Sequence, residues 1–261
     1  MEPPRRVLFL VAKVPKQGRS KTRLAQTIGP EKAELFSKAC ILDLCERLAD
    51  AEFIDERVVL FAPGEERDIM DQLLTQNLRP NKILKWDLRP FVTSENTDEE
   101  RSKGLVFDNS KVVGLGRGLC RALFDCVKDN GECQVAFIGM DTPQLTMDAL
   151  QHSFSLRESK TSFIIRAKDG GYVLLSVRSS SPEDSARIFS SISWSTSSTK
   201  TGQVAALIRA GFAVNEYHSE FQDVDEYEDL VSLKSLLDEY SPSDDICPRV
   251  RALLATGIKE L

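Results

Sequence analysis

The amino-acid sequence predicts a single α/β domain built on a mostly parallel, twisted sheet with helices on both faces. Three observations predict it. Short runs rich in β-branched and aromatic residues alternate with helix-periodic segments along most of the chain, the pattern of strands joined by crossover helices. The run Val7-Leu8-Phe9-Leu10-Val11 is apolar at every residue, as a strand covered on both faces must be. No linker-like stretch divides the 261 residues into two cores.

The elements follow in order. Residues 7–11 are the first, central strand, and a polar loop runs over residues 12–20. A helix begins at Pro30, where a missing N–H costs nothing, and carries Ala33, Phe36, Ala39, Cys40, Leu44 and Leu48 on one face to about Ala49. Residues 57–61 read as the second strand, residues 65–76 as a helix and residues 83–86 as a shorter strand. Residues 91–111 are polar without periodicity and are expected to form a surface insertion. A helix over residues 115–127 leads to a strand at 134–138 and a helix at 146–156. Strands at 162–167 and 172–177 are close enough in sequence to pair as a hairpin. A helix at 199–210 stops at Gly211, a last strand spans 212–217, and an acidic turn at 222–226 opens a helix to about Glu239. The domain is thus expected over residues 1–240. A break at 242–245 and a short helix at 248–255 belong to a C-terminal tail, residues 241–261.

Composition narrows the function classes. Hydrophobic residues make up 41% and charged residues 28%, which excludes wholesale disorder. A formal charge of -6 argues against a nucleic-acid partner, whose binding face is basic. The N-terminal apolar run is too short for a signal-peptide core or a membrane span, so a cytoplasmic protein is expected. Six cysteines form no C-x-x-C pair and are joined by only two histidines, His152 and His218. Reduced thiols, in the core and at the surface, are the expectation rather than zinc.

The loop after the first strand carries the strongest chemical signal. Lys13, Lys16, Arg19, Lys21 and Arg23 place five cations within eleven residues, with Gly18 among them and Thr22 beside Lys21. Free backbone N–H groups and positive charge at the carboxyl end of a buried strand suit a polyphosphate. A Walker-type P-loop is not the explanation, because its two glycines would fall on Pro15 and Ser20.

Three acidic or glycine-rich segments accompany that loop. Gly139-Met140-Asp141-Thr142-Pro143 sets a carboxylate just past a buried strand, where open α/β sheets bind ligands, and makes Asp141 the preferred metal ligand. A helix cap or a turn is the competing account of Asp141. Asp223-Val224-Asp225 on an extended segment would put both carboxylates on one side, oxygen ligands of the kind Mg2+ or Mn2+ prefers. A helix cap competes for Asp225 as well. Asp169-Gly170-Gly171-Tyr172 permits a close approach to a ligand, or simply a hairpin turn. Gly114-Leu115-Gly116-Arg117-Gly118 misplaces the third glycine of a dinucleotide fingerprint and is discounted as one.

Taken in order, these segments resemble the bacterial GT-A-fold transferases known as radical-SAM or selenodomain-associated glycosyltransferases. Their relatives are the nucleotidyltransferases that make guanylylated phospholactate and molybdenum cofactor. The pattern A-K-x-P-x-x-G-x-x-K-T-R-L is matched in full from Ala12 to Leu24. Leu115-Gly116 matches L-G-E-R in part, Gly139 to Pro143 matches G-S-D-C-P, Asp169 to Tyr172 matches D-G-G-Y, and Trp194-Ser195-Thr196 matches W-S-T. Asp223-Val224-Asp225 matches the start of D-V-D-T-P-E-D-L.

The resemblance implies a GT-A, nucleotide-diphospho-sugar transferase-like fold and a nucleotide-activated donor, either a nucleotide sugar or a nucleoside triphosphate. It implies that Lys13, Lys21 and Arg23 contact the nucleotide phosphates, with Gly18 and Thr22 in the same loop. Asp141 becomes the metal aspartate and Asp225 the second metal contact, with Asp223 beside it. Asp169, Gly170, Gly171 and Trp194 fall on the side of a small-molecule or protein acceptor, with Asp169 the candidate general base. Met140 and Thr142 replace Ser and Cys beside the metal aspartate, and Arg117 replaces the Glu of L-G-E-R. Glycosyl transfer is the first expectation, nucleotidyl transfer with release of pyrophosphate the second. A catalytically inactive nucleotide-binding scaffold is the rival from another class.

Overall fold

The computed structural model describes residues 3–92, 111–240 and 246–256. Most of the expected insertion and the expected break at 242–245 lie outside the described residues. The strands are β1 (Arg5–Lys13), β2 (Glu56–Ala62), β3 (Asp87–Pro90), β4 (Cys133–Gly139), β5 (Thr161–Arg166), β6 (Tyr172–Ser179) and β7 (Ala213–Glu216). The helices are α1 (Thr22–Ile28), α2 (Pro30–Leu48), α3 (Arg67–Asn77), α4 (Pro80–Ile83), α5 (Gly114–Asn130), α6 (Met147–Ser153), α7 (Asp184–Ile188), α8 (Thr199–Arg209), α9 (Tyr227–Glu239) and α10 (Pro248–Ala255).

The strands form one sheet in the order β3-β2-β1-β4-β6-β5-β7. Only β6 runs antiparallel to its neighbours, pairing with β4 and, through the expected hairpin, with β5. The remaining pairs are parallel. β1 is interior, as its uniform hydrophobicity predicts, although β4 holds the middle place. The chain builds outward through β2 and β3 and then crosses back to lay β4 on the other side of β1. That reversal opens a crevice at the carboxyl ends of β1 and β4, where such sheets take their ligands.

Alternation along β1 feeds two cores. Leu8, Leu10 and Ala12 face one side and pack with Ile41, Leu44 and Leu48 of α2 and Met70 and Leu74 of α3. Val7 and Phe9 face the other and pack with Leu119, Leu123 and Phe124 of α5 and Leu207 of α8. Each such large apolar side chain, once fully buried, contributes roughly 1.5–3 kcal/mol, so both helical layers are held firmly on the sheet. A smaller cluster joins Leu24 of α1, Phe36 of α2, Val224, Leu230 of α9 and Val250 of α10.

Residues 83–86 are not the expected strand. Pro80 opens α4 at a position that needs no N–H, and the strand begins four residues later at Asp87. Leu84 is 86% exposed, so the run has no strand face to bury. Trp86 is the anchor instead, donating its Nε1–H to the Cys45 carbonyl at 3.0 Å. Helices α1 and α7 are additions to the elements read from the sequence. The buried residue of α1 is Leu24 alone, which leaves no periodicity to read.

Helix α10 is docked by a carboxylate from α2. Asp43 accepts from the backbone N–H groups of Arg249 and Val250, at 3.0 and 2.9 Å, and from the Arg249 guanidinium at 3.2 Å. A buried acid of the adjacent α2, distant in sequence, thus caps an eight-residue helix. All six cysteines are free and buried, so none is at the surface, contrary to part of the expectation. Among the described residues, no helix is long and apolar enough to cross a membrane.

Candidate active site at the carboxyl edge of the sheet

The site begins where β1 ends. After Lys13 the chain turns through Gly18, whose φ of 73° suits a residue without a side chain, and Arg19 and Ser20 donate back to the Lys16 carbonyl at 3.1 and 3.2 Å. Glu66, from the turn after β2, holds the loop by pairing with Lys16 at 3.0 Å and Arg19 at 2.9 Å. Two of the five cations are therefore spent on protein carboxylate. Thr22 and Arg23 stand exposed on the first turn of α1, and Arg23 reaches toward Glu226 at 3.7 Å.

Lys21 turns the other way. It adopts the left-handed backbone conformation, φ 51° and ψ 48°, immediately before α1. A non-glycine residue there costs of order 1 kcal/mol and is held only when its surroundings demand it. The surroundings are two carboxylates and a carbonyl. The ammonium lies 2.5 Å from Asp141 Oδ1 and 2.9 Å from Asp225 Oδ1, and it donates to the Val224 carbonyl. The Lys21 side chain is 4% exposed, whereas those of Asp141 and Asp225 are 40% and 49% exposed. Burial opposes the charge on Lys21, but the two carboxylates outweigh it and raise its pKa. Burial likewise opposes ionisation of Asp225, and Lys21 outweighs it, holding that carboxyl below its ordinary range.

The two carboxylates come together from distant parts of the chain. Asp141 follows β4, and its carbonyl accepts from the Val224 N–H at 3.0 Å. The segment around Val224 lies along the sheet edge through a bridge from Phe221 to Ala167, with Val224 wholly buried between the two aspartates. Both capping alternatives fail. The N-cap of α6 is Thr146, whose hydroxyl accepts from Ala149, and α9 is capped by Glu226 in a capping box with Asp229. Neither Asp141 nor Asp225 is needed for a helix end.

Asp223 and Asp169 extend the acidic side. The Asp223 carboxyl is pushed up to about 6, first by burial and then by the neighbouring charges of Asp169 and Asp225. Asp169 sits exposed in the β5–β6 turn, where its Oδ1 accepts from Gly171 N–H at 2.8 Å. The turn is a hairpin turn and also a close packing point. Gly170, at φ 94°, presses against Ser197, so near that a Cβ would lie 2.2 Å from the Ser197 carbonyl oxygen. Trp194 packs on Gly116 of α5 in the same way, and Phe91 packs on Gly118. Gly116 and Gly118 therefore seat aromatic rings rather than bind a dinucleotide.

Among the described residues, no three Asp, Glu, His or Cys side chains are grouped so as to hold a metal ion alone. The second carboxylate oxygens of Asp141 and Asp225 make no hydrogen bond among them, and both side chains are partly exposed. That donor set fits a magnesium-like ion, which is commonly bound by one or two carboxylates and completed by waters and substrate phosphates. At the carboxyl ends of β1, β2 and β3, a cleft of about 500 Å3 is lined by Lys13, Arg19, Pro63, Glu65 and Phe91.

Two supports were not visible in the sequence. Arg47 of α2 donates to the carbonyls of Pro143 and Leu145, at 3.0 and 2.7 Å, and so fixes the loop that carries Asp141. Glu66 fixes the basic loop. Each is one of many charged surface-type residues in the sequence, and neither lies in a motif.

A model of the family described as "uncharacterized protein conserved in bacteria" (DUF2064) matches residues 84–196, somewhat under half of the chain. The match takes in Asp141, Asp169 and Trp194 but not the basic loop or Asp225. No curated protein matches. Among solved structures, a provisionally assigned nucleotide-diphospho-sugar transferase from Desulfovibrio desulfuricans G20 is similar, with a TM-score of 0.75 and 21% identity over 97% of this chain and 95% of that one. A nucleotidyl transferase from Methanothermobacter thermautotrophicus superimposes with a TM-score of 0.51 and 12% identity, over 90% of this chain and 98% of the other. The fold is that of the nucleotide-diphospho-sugar transferases, as the resemblance implied.

Proposed function

We propose that this protein is a metal-dependent transferase that uses a nucleotide-activated donor, and that the donor is a nucleotide sugar. The observation that carries the reading is the convergence of the basic loop with Asp141 and Asp225 at the carboxyl edge of β1 and β4. The nucleoside would lie in the cleft beside Lys13, Pro63 and Phe91, with its diphosphate running toward Asp141. A bound Mg2+ or Mn2+, held by Asp141 and Asp225 with Asp223 nearby, would supply charge neutralisation to the leaving diphosphate.

The preference for a nucleotide sugar over a triphosphate rests on the resemblance to the glycosyltransferases. Lys16 and Arg19 are paired with Glu66, and Lys21 with the aspartates. Lys13, the weakly paired Arg23 and the one positive charge that Glu66 leaves on the Lys16–Arg19 pair are available to a phosphate chain. In the transfer, the acceptor hydroxyl oxygen bonds to the sugar's anomeric carbon as the bond from that carbon to the diphosphate breaks. The hydroxyl proton passes to Asp169 Oδ2, since Oδ1 is held by Gly171. Gly170, Gly171 and Trp194 shape the acceptor side.

The test is turnover of a donor panel with Mg2+ or Mn2+, reading nucleoside diphosphate and pyrophosphate separately. Slow hydrolysis of a nucleotide sugar to nucleoside diphosphate, abolished in Asp141→Ala, supports glycosyl transfer. Pyrophosphate release from a triphosphate points to nucleotidyl transfer instead. Metal-independent binding without turnover of any donor points to a scaffold.

A further inference from the structure

We propose that Lys21 is a built-in counter-ion that shields the Asp141–Asp225 pair from free divalent cations, so that metal enters this site only together with a nucleotide phosphate. The inference rests on the reading of this edge as a metal–nucleotide site.

The geometry is that of an occupied cation position. The ammonium donates to Asp225 Oδ1 and to the Val224 carbonyl and is ion-paired with Asp141 Oδ1 at 2.5 Å, so protein oxygens surround it. Two carboxylates and one ammonium leave a single net negative charge, too little to draw a strongly hydrated dication out of water by itself. Lys21 cannot swing aside cheaply, because its stem is buried and its backbone is fixed in the left-handed conformation at the start of α1. Lys13 and Arg23 add positive charge near Asp225, which offsets the negative charge of Asp223 and Asp169 on the acidic side.

A diphosphate changes that balance. It brings negative charge and oxygen ligands to the exposed face of the same two carboxylates, where their second oxygens are open. Metal and nucleotide then bind as a pair, each raising the affinity for the other by the same factor.

The experiment follows Mn2+ uptake by loss of the free-ion electron paramagnetic resonance signal, counted beyond the loss that the same nucleotide causes without protein. Wild type, Lys21→Met and Lys21→Arg are titrated with Mn2+ alone and with each common nucleoside diphosphate. Wild type is expected to take up Mn2+ measurably only with a nucleotide. Lys21→Met is expected to bind Mn2+ alone about tenfold more tightly than wild type or more, and Lys21→Arg to resemble wild type. Uptake of Mn2+ alone by wild type as strong as by Lys21→Met overturns the inference and leaves the metal–nucleotide reading standing. Absence of uptake by every variant with every nucleotide overturns that reading and the inference with it. Should Lys21→Met fail to fold, wild type still decides, since equal uptake with and without nucleotide is incompatible with a shielded pair.

Discussion

The carbonyl of Asp141 accepts the Val224 N–H at 3.0 Å, and this one backbone hydrogen bond ties the loop after β4 to the segment that presents Asp225. Val224 itself is wholly buried in the cluster with Leu24 and Leu230. The separation of the two carboxylates is thus set by a residue with no charge and no contact with solvent. Val224→Ala removes two buried methyl groups and is expected to cost about 2 kcal/mol in urea unfolding. A second effect is expected on metal–nucleotide affinity, weakened about tenfold although no ligand contact is removed. Unchanged affinity in the destabilised variant would show that the site does not depend on this tie.

The Lys21 cluster predicts non-additive stability. Asp141→Asn or Asp225→Asn alone leaves the ammonium one carboxylate, and both side chains are partly exposed, so each is expected to cost about 1 kcal/mol or less. The double variant strands a buried ammonium without a counter-charge. Losing the last partner of such a group costs about 3 kcal/mol or more, well beyond the sum of the single changes. Unfolding midpoints of the four proteins check this directly.

Asp223 predicts a pH dependence of opposite sign to that of a paired carboxylate. Its folded pKa is raised to about 6, above the ordinary carboxylate value of 3.8, so the folded state holds the proton more tightly. The associated stability is fully present below the unfolded pKa and is lost as pH rises through 6. Asp223→Asn, measured in chelator, is therefore expected to flatten the stability profile between about pH 4 and 6. It should be the more stable protein at pH 7 by about 1 kcal/mol, once solvent screening of this partly exposed group is allowed for. Asp225, lowered by Lys21, contributes in the other sense, with stability lost only as pH falls through its depressed value.

The Asp169 turn makes a steric prediction. In Gly170→Ala the new methyl would meet the Ser197 carbonyl, which is backbone and cannot rotate away, and φ 94° is strained for any side chain. A loss of about 2–4 kcal/mol is expected, together with displacement of the 194–197 segment and altered Trp194 fluorescence. An unperturbed spectrum would mean that the turn and the Trp194 segment are not packed together.

What could be read in the sequence was what is local. The five-cation loop, the strand before it, the Asp141 and Asp225 positions and the β5–β6 hairpin each lie within short stretches of the chain. Alternation of Asp223, Val224 and Asp225 about a buried valine follows from strand geometry. What could not be read depends on distance or on rare backbone states. Nothing local marks Lys21 as left-handed and turned inward onto carboxylates more than a hundred residues away. Arg47, Glu66 and Asp43 support the site and α10 from other elements, and in sequence they resemble surface charges. The misplaced strand at 83–86 shows the ambiguity of a short apolar run, although Pro80 offered a helix-start signal.

The central claim is that the carboxyl edge of β1 and β4 binds a metal–nucleotide pair through Asp141. Thermal unfolding with nucleotide sugars and nucleoside triphosphates, with and without Mn2+, on wild type and Asp141→Ala, tests it most directly. A ligand at about 100 times its dissociation constant stabilises by roughly 2.7 kcal/mol, a shift of a few degrees at this size. The account predicts that shift in wild type only when nucleotide and metal are both present, and its loss in Asp141→Ala. No shift with any nucleotide, or the same shift without Asp141, would contradict it.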